Sequence, residues 1–327
     1  MANNKNLTAA KKAKADEFYT MLTDVEKELK HYKKWFEGKV VYCNCDDPEE
    51  SNFWKFFELN FEEYKLKKLI STHYDAEKPT YKLELSADID GDGKITKGDI
   101  VKTPLKQNGD FRSEESIELL NSSDIVVTNP PFSLFDEYIK QLLESKKKFL
   151  ILGNNNACPQ LIQYFKNKTL RLGYSSNKTM EFVMPDSYKS DKKNSEGKKL
   201  GKVPAISWFT NFEVTPNEKL VLIKKYNSTD FPTCENYNAI YVDKVVNIPK
   251  DYKGVMAVPI TILKYMNKNN EITCEIDGTT KYFKILGATY SSDKSPETEA
   301  IRTDQKHTHS PIINGKEKYK KILIQLN

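Results

Sequence analysis

The sequence predicts an α/β protein built on a doubly wound parallel sheet, with a smaller strand-rich region behind it, and three observations carry that expectation. In the first half, short apolar runs alternate with segments of helical periodicity, the pattern of parallel strands joined by covering helices. Polar clusters follow several of those apolar runs, where open α/β sheets bind their ligands. Beyond residue 170 helical periodicity fades and strand-like runs dominate, so the expected division is residues 1–170 and residues 171–327.

Lys39 to Cys43 reads as a buried strand, broken by Asp46-Asp47-Pro48. Ser51 is placed to cap a helix carrying Phe53, Trp54, Phe56 and Phe57 on one side. Leu66 to Thr72 is the next strand, and Ser113 caps a helix whose first turn holds Glu114 and Glu115. Asp124 to Thr128 is a short apolar strand ending at Asn129. Phe135, Tyr138, Ile139, Leu142 and Leu143 then share one helical face, and Phe149 to Leu152 is a further buried strand closed by Gly153. Later strands are expected near residues 205–209, 220–223, 239–242 and 322–325. The lysine-rich stretch 186–202 reads as a mobile loop, whose Lys192, Lys193, Lys198 and Lys199 either contact phosphate or are simply solvated.

A hydrophobic fraction of 38% is enough for a packed core, and the 30% charged fraction describes a soluble chain. No apolar run approaches the roughly 20 residues of a membrane span, and residues 1–5 lack the apolar stretch of a secretory signal. The expected localisation is cytoplasmic. The odd count of five cysteines suggests reduced thiols, and Cys43 and Cys45 lack the second ligand pair a zinc site requires. His31, His73, His307 and His309 form no metal pattern. A net charge of +5 permits a nucleic-acid partner without demonstrating one.

The chemistry concentrates in Asn129-Pro130-Pro131-Phe132. Two prolines fix the backbone and remove two N–H donors. The Asn129 carboxamide and a proline carbonyl offer two acceptors, which together can bind both hydrogens of an amino group. Such contacts favour the pyramidal geometry that frees the lone pair of an aromatic amine for attack on a sulfonium methyl. Phe132 offers a flat face for an extruded base. The bland alternative is a proline-rich strand-to-helix turn.

Asp110 and Phe111 can hold the adenine of a cofactor, by carboxylate and by ring; otherwise they are a turn before a helix cap. Asp46 and Asp47 end the first strand, where they touch the methionine or ribose part of a cofactor or merely cap a helix. A glycine-rich turn is missing there. Phe18, Tyr19 and Thr20 are as readily core as cofactor contact.

A separate segment, residues 88–99, has the spacing of a calcium loop. Oxygen ligands fall at Asp88, Asp90, Asp92, Thr96 and Asp99, with Gly93 at the sharp turn. Asp99 stands where a bidentate Glu is usual, and the flanks look like strands. The alternative to a structural Ca²⁺ is a Gly/Asp-rich hairpin turn.

With these residues in place, the chain resembles the EcoRI-type adenine-specific DNA methyltransferases, the modification half of a type II restriction–modification system. The matching segments are residues 16–20, 40–48, 51–53, 109–113, 123–135, 254–256 and 258–261, in the family's order. The resemblance implies a Rossmann-like class I methyltransferase sheet. It implies S-adenosylmethionine as donor and adenine N6 in double-stranded DNA as acceptor, with the base flipped out. It places cofactor binding and catalysis in residues 1–170, and target recognition in residues 171–327. By the same resemblance Phe18, Tyr19 and Thr20 line the methionine end of the cofactor, and Asp46 and Asp47 form a variant first motif. Asp110 and Phe111 meet the adenine, and Asn129, Pro130, Pro131 and Phe132 are catalytic. Asn129 also touches the cofactor.

An acidic residue for the ribose is missing from the second strand, where Ser71-Thr72-His73-Tyr74 intervenes before Asp75. A cognate restriction endonuclease and action as a monomer are further expectations. The alternatives are cytosine N4 or RNA adenine as acceptor, or a DNA-binding module without catalysis.

Overall fold

The computed structural model describes residues 18–45, 47–76, 80–185, 188–215, 218–267, 269, 271–290, 295–303 and 310–327. Asp16, Glu17, Asp46, His307 and His309 lie outside the described residues. The architecture is mixed α/β with one large sheet, and by contacts the chain forms two compact units. The first comprises residues 1–154 and 175–212, the second residues 155–174 and 213–327.

In the first unit β1 (Tyr19–Thr20) leads into α1 (Leu22–Leu29). The buried run Val40–Cys43 is β2, followed by α2 (Asn52–Leu59). Ser51 caps α2 by accepting from Phe53 N, a contact of a kind worth about 1 kcal/mol, and Phe53, Trp54, Phe56 and Phe57 are buried. Next come β3 (Lys68–Thr72), β4 (Tyr81–Leu85), β5 (Val101–Pro104) and α3 (Glu114–Ser122), capped by Ser113 through Ser116 N. The all-buried β6 (Ile125–Thr128) is followed by α4 (Phe135–Glu144), which buries Phe135, Tyr138, Ile139 and Leu142, and by β7 (Lys148–Asn154). Two further strands, β8 (Lys178–Val183) and β9 (Leu200–Thr210), extend the sheet.

The strand order is β1-β8-β9-β7-β6-β2-β3-β4-β5. The central strands β7, β6, β2 and β3 are parallel. The edges are antiparallel: β4 and β5 on one side, β9 and β8 on the other. Residues 175–212, expected beyond the boundary at 170, thus belong to the first unit. The stretch read as a loop at 186–202 narrows to a Lys193–Lys199 bridge and enters β9 at Leu200.

In the second unit are α5 (Ile162–Lys166), β10 (Val221–Leu222), β11 (Ile240–Tyr241), β12 (Met256–Pro259), β13 (Ile272–Ile276) and β14 (Thr279–Ala288). They are followed by α6 (Pro296–Ile301), β15 (Ile312–Ile313), β16 (Lys316–Glu317) and β17 (Lys321–Leu326). Its main sheet runs β10-β13-β14-β17-β12-β11, and β15 and β16 pair as a separate hairpin. All five cysteines are free thiols. Among the described residues no helix is long and apolar enough to cross a membrane.

Gly153 is a strand residue without room for a side chain. A Cβ there would lie 2.3 Å from the Phe135 ring, which is itself packed at 5.0 Å against Phe209. Gly153→Ala is expected to lower the unfolding free energy by about 1–3 kcal/mol through overpacking. A shift of the urea midpoint measures it, and an unchanged midpoint would mean the helix α4 can retreat without cost.

Candidate active site

The parallel strands β2, β3 and β6 all end on one edge of the sheet, and the polar clusters expected from the sequence gather along it. Because β5 is antiparallel to β4, and β4 to β3, β5 also finishes at that edge. Asn44 to Asp47 follow β2, His73 follows β3, Asn108 to Phe111 follow β5, and Asn129 follows β6. Convergence of Asp47, Asp110, Phe111 and Asn129 is therefore a property of strand direction.

A layer of buried hydrogen bonds holds these strand ends. The Tyr138 hydroxyl donates to Asn44 Oδ1, and the Thr128 hydroxyl donates to the Asn44 carbonyl. Tyr42 and Thr72 share a hydroxyl contact of 3.0 Å, and Ser71 Oγ donates to the Cys43 carbonyl at 2.6 Å. Sequence reading missed Asn44 and Tyr138 as positioning groups. Tyr138 fits the apolar helix face too well to be noticed for its hydroxyl.

Asn129 is buried, 4% exposed. Its Nδ2 donates to the carbonyl of Phe18, which decides the orientation of the amide, since only the NH₂ end can donate there. Its Oδ1 is buried with no hydrogen-bond partner among the described residues. The same holds for Thr20 Oγ1. An unpaired buried acceptor costs about 1–3 kcal/mol, so two in one neighbourhood mark a place that a ligand would complete. Asn52 Nδ2 fixes the other side of the segment by donating to the Thr20 carbonyl at 2.7 Å.

Phe132 is buried in an aromatic cluster. Its ring meets Phe18 edge-on with centroids 5.6 Å apart, and Phe182 at 6.2 Å. Phe18 also packs on Tyr188 at 6.3 Å. The structure thus brings Phe18, Thr20, Asn129 and Phe132 together. A groove of about 240 Å³ opens beside Tyr19, lined in addition by Asn52, Glu50, Val183 and Lys198.

Asp47 is engaged on both oxygens. Oδ1 accepts from the Tyr81 hydroxyl at 3.0 Å and from Glu49 N, while Oδ2 lies 3.4 Å from His73 Nε2. Burial and the adjoining Asp47 carboxylate push the Tyr81 hydroxyl pKa well up. His73, read from sequence as an interruption, is instead a partner of the first acidic cluster. Asp110 is held by Arg112, whose Nε and Nη2 donate to its two oxygens at 2.8 and 2.7 Å. Those hydrogen bonds keep the Asp110 carboxyl below the usual carboxylate range. Phe111 packs edge-on against Tyr138 at 5.0 Å. Gly109 has φ +73°, and a Cβ there would lie 2.0 Å from the His73 carbonyl oxygen, so only glycine lets the β5 extension approach β3.

The turn after β2 lacks glycine, and its backbone shows the consequence. Cys45 adopts φ +74°, the left-handed region that glycine enters freely and other residues enter at a cost.

The 88–99 loop gathers only part of its expected ligand set. Oxygens of Asp88, Asp90 and Asp99 lie within 4.8 Å of one another. Asp88 accepts from the backbone of Gly91 and Gly93, and Asp99 from Ile89, Asp90 and Thr96. Asp92 stands outside that group and accepts from Lys94 N, and Thr96 Oγ1 accepts from Gly98 N. The flanks are β4 and a 3₁₀ turn leading into β5, not two helices. These internal bonds account for the loop as an Asp-rich turn.

The family model described as adenine-specific methyltransferase EcoRI matches residues 6–327. Type II methyltransferase M.EcoRI of Escherichia coli is 40% identical over 314 residues, covering 87% of this chain and 96% of that protein. M.MgeORF184P of Mycoplasma genitalium is 38% identical over 335 residues, covering 97% of each chain. M.MpnI of Mycoplasma pneumoniae is 36% identical over 329 residues, covering 97% of this chain and 96% of that protein. No solved structure matches the chain.

The left-handed Cys45 yields a stability prediction. Cys45→Val, β-branched, is expected to lower the unfolding free energy by about 1–2 kcal/mol, and Cys45→Gly to leave it unchanged or raise it. Denaturant unfolding of the two variants checks this; equal midpoints would remove the backbone argument.

Proposed function

Because this chain belongs to the EcoRI family of adenine-specific methyltransferases, we propose that it methylates N6 of a flipped-out adenine in duplex DNA, with S-adenosylmethionine as donor. The observation that carries the site assignment is Asn129 Oδ1, a buried acceptor left open while its Nδ2 is tied to Phe18. Pro130 contributes the second acceptor through its carbonyl, and Pro131 has no N–H to compete for it. Together they accept both hydrogens of the adenine amino group and favour a pyramidal nitrogen, whose lone pair is withdrawn from conjugation with the ring and localised on nitrogen. Neither acceptor has the basicity of a carboxylate, so the nitrogen gives up its proton to water after it has become cationic. Phe132, its ring plane fixed by Phe18 and Phe182, carries the base by stacking.

S-adenosylmethionine, when bound, supplies a methyl group on a positively charged sulfur. The residues present fit such a group. Phe18, Tyr19 and Thr20 take its methionine end, where Thr20 Oγ1 is open. Asp47, together with Asp46, takes the methionine or ribose part. Asp110 accepts from the cofactor's adenine amino group with lone pairs that Arg112 does not use, and Phe111 packs on the ring. Alignment of nitrogen, methyl and sulfur is then mainly positional catalysis.

In this reading the large sheet is a Rossmann-like, class I methyltransferase sheet. Target recognition belongs chiefly to residues 155–174 and 213–327, since 175–212 are built into the first sheet. Cations of that unit would hold the duplex by phosphate contacts.

Nucleoside mass spectrometry, after incubation of DNA with isotopically labelled donor, tests the reaction. N6-methyladenine is expected; N4-methylcytosine alone would overturn the acceptor. Asn129→Ala is expected to lower kcat at least about a hundredfold, the scale of losing one preorganised polar contact. S-adenosylhomocysteine affinity, read by calorimetry, should stay within about threefold, an effect under 1 kcal/mol. Unchanged turnover would remove Asn129 from its role.

A further inference from the structure

In the second unit, Asn314 and Gly315 join β15 to β16 with φ of 51° and 68°, the backbone of a tight hairpin turn. The base of this hairpin is pinned. Glu235 N donates to the Ile312 carbonyl at 2.9 Å, Ile312 N to Asn236 Oδ1 at 2.9 Å, and Gly315 N to Glu235 Oε1 at 2.8 Å. Lys318 N closes onto the Pro311 carbonyl at 2.8 Å, and Ile313 is buried with Tyr237, Leu286 and Leu323. The turn leads into Lys316-Glu317-Lys318-Tyr319-Lys320, where Tyr319 is 88% exposed.

Some surface lysines elsewhere are neutralised. Lys33 pairs with Glu63, Lys65 with Glu37, and Lys264 with Glu218. Of the four lysines read from sequence as either phosphate contacts or simply solvated, Lys192 is held by Glu181 and Lys198 by Glu50. Among the described residues, Lys316, Lys318 and Lys320 have no ion-pair partner, although Lys320 Nζ lies 4.4 Å over the Tyr290 ring. Glu317 is the one acid in this stretch. A rigid ribbon that presents unpaired cations around a bare aromatic ring complements a polyanion with apolar edges.

We propose that the hairpin 312–320 is a duplex-contacting finger, with Lys316 and Lys318 on backbone phosphates and Tyr319 against a sugar or base edge. A two-stranded ribbon is narrow enough for the major groove. The inference rests on the proposed action on DNA, and names the surface of the second unit that takes it up.

Fluorescence anisotropy of an end-labelled duplex of mixed sequence, with S-adenosylhomocysteine present and sodium chloride varied, tests it. Lys316→Ala with Lys318→Ala should weaken binding roughly tenfold near physiological salt and flatten the plot of log K against log salt by about 2. Lys316→Arg with Lys318→Arg should restore both. Tyr319→Ala should weaken binding without changing the slope, and Tyr319→Phe should retain most of it. Unaltered calorimetric affinity for S-adenosylhomocysteine shows that the variants are folded. Wild-type affinity and slope in the alanine variants would overturn the finger while leaving methylation intact. A wild-type protein that neither binds nor methylates DNA would instead overturn the functional reading, and the finger with it.

Discussion

An amide has one donating and one accepting end, and at Asn129 the protein has committed only the first. Nδ2 is tied to the carbonyl of Phe18, a residue 111 positions earlier in the chain. This bond does two things at once. It draws the Phe18–Thr20 segment to the end of β6, and it leaves Oδ1 without a partner in a buried place. Leaving an acceptor open is unfavourable for the protein alone, and such sites persist where function requires them. β1 is held at the same place by its pairing with β8 and by Asn52, and Phe132 packs edge-on against Phe18 beside the tie.

The strand ends that carry the site are held by polar contacts as well as by apolar packing. Tyr138, Asn44 and Thr128 form a chain of buried bonds linking α4, β2 and β6. Ser71 and Tyr42 link β2 to β3 in the same way. In a low-dielectric interior satisfied bonds of this sort are directional, so they fix position more sharply than apolar contact does. Asp47 is likewise fixed, by Tyr81 and His73 from β4 and the end of β3. A histidine thus stands at the end of the second strand, where the sequence lacks an acidic residue, and it faces the acid at the end of the first.

Much of this was legible because local rules decide it. Ser51 and Ser113 cap the helices they were expected to cap, and the apolar runs at 40–43, 125–128 and 149–152 are strands. Asn129 to Phe132 stood out for a different reason: the pattern sits directly after a buried strand, and the fold sets Asn129 and Phe132 against Phe18. The parts that were missed depend on pairing across long separations. Nothing local in Lys178–Val183 tells which sheet it joins, and its partner Leu200–Thr210 pairs in turn with β7, some fifty residues earlier. The strained φ of Cys45 was hidden because no residue type announces it, and His73 was hidden because its partner comes from another strand.

The lysines show why composition gave so weak a signal about the partner. A net charge of +5 spread over 327 residues says little, because a cation paired with a nearby carboxylate contributes almost no field beyond a Debye length of about 8 Å at physiological salt. Lys192 and Lys198 look basic in the sequence, and Glu181 and Glu50 offset them in the fold. What attracts a polyanion is unpaired charge held in a fixed array. Pairing is a tertiary property, and for that reason a surface suited to a polyanion must be sought in the folded chain, where cations without carboxylate neighbours stand on a hydrogen-bonded backbone.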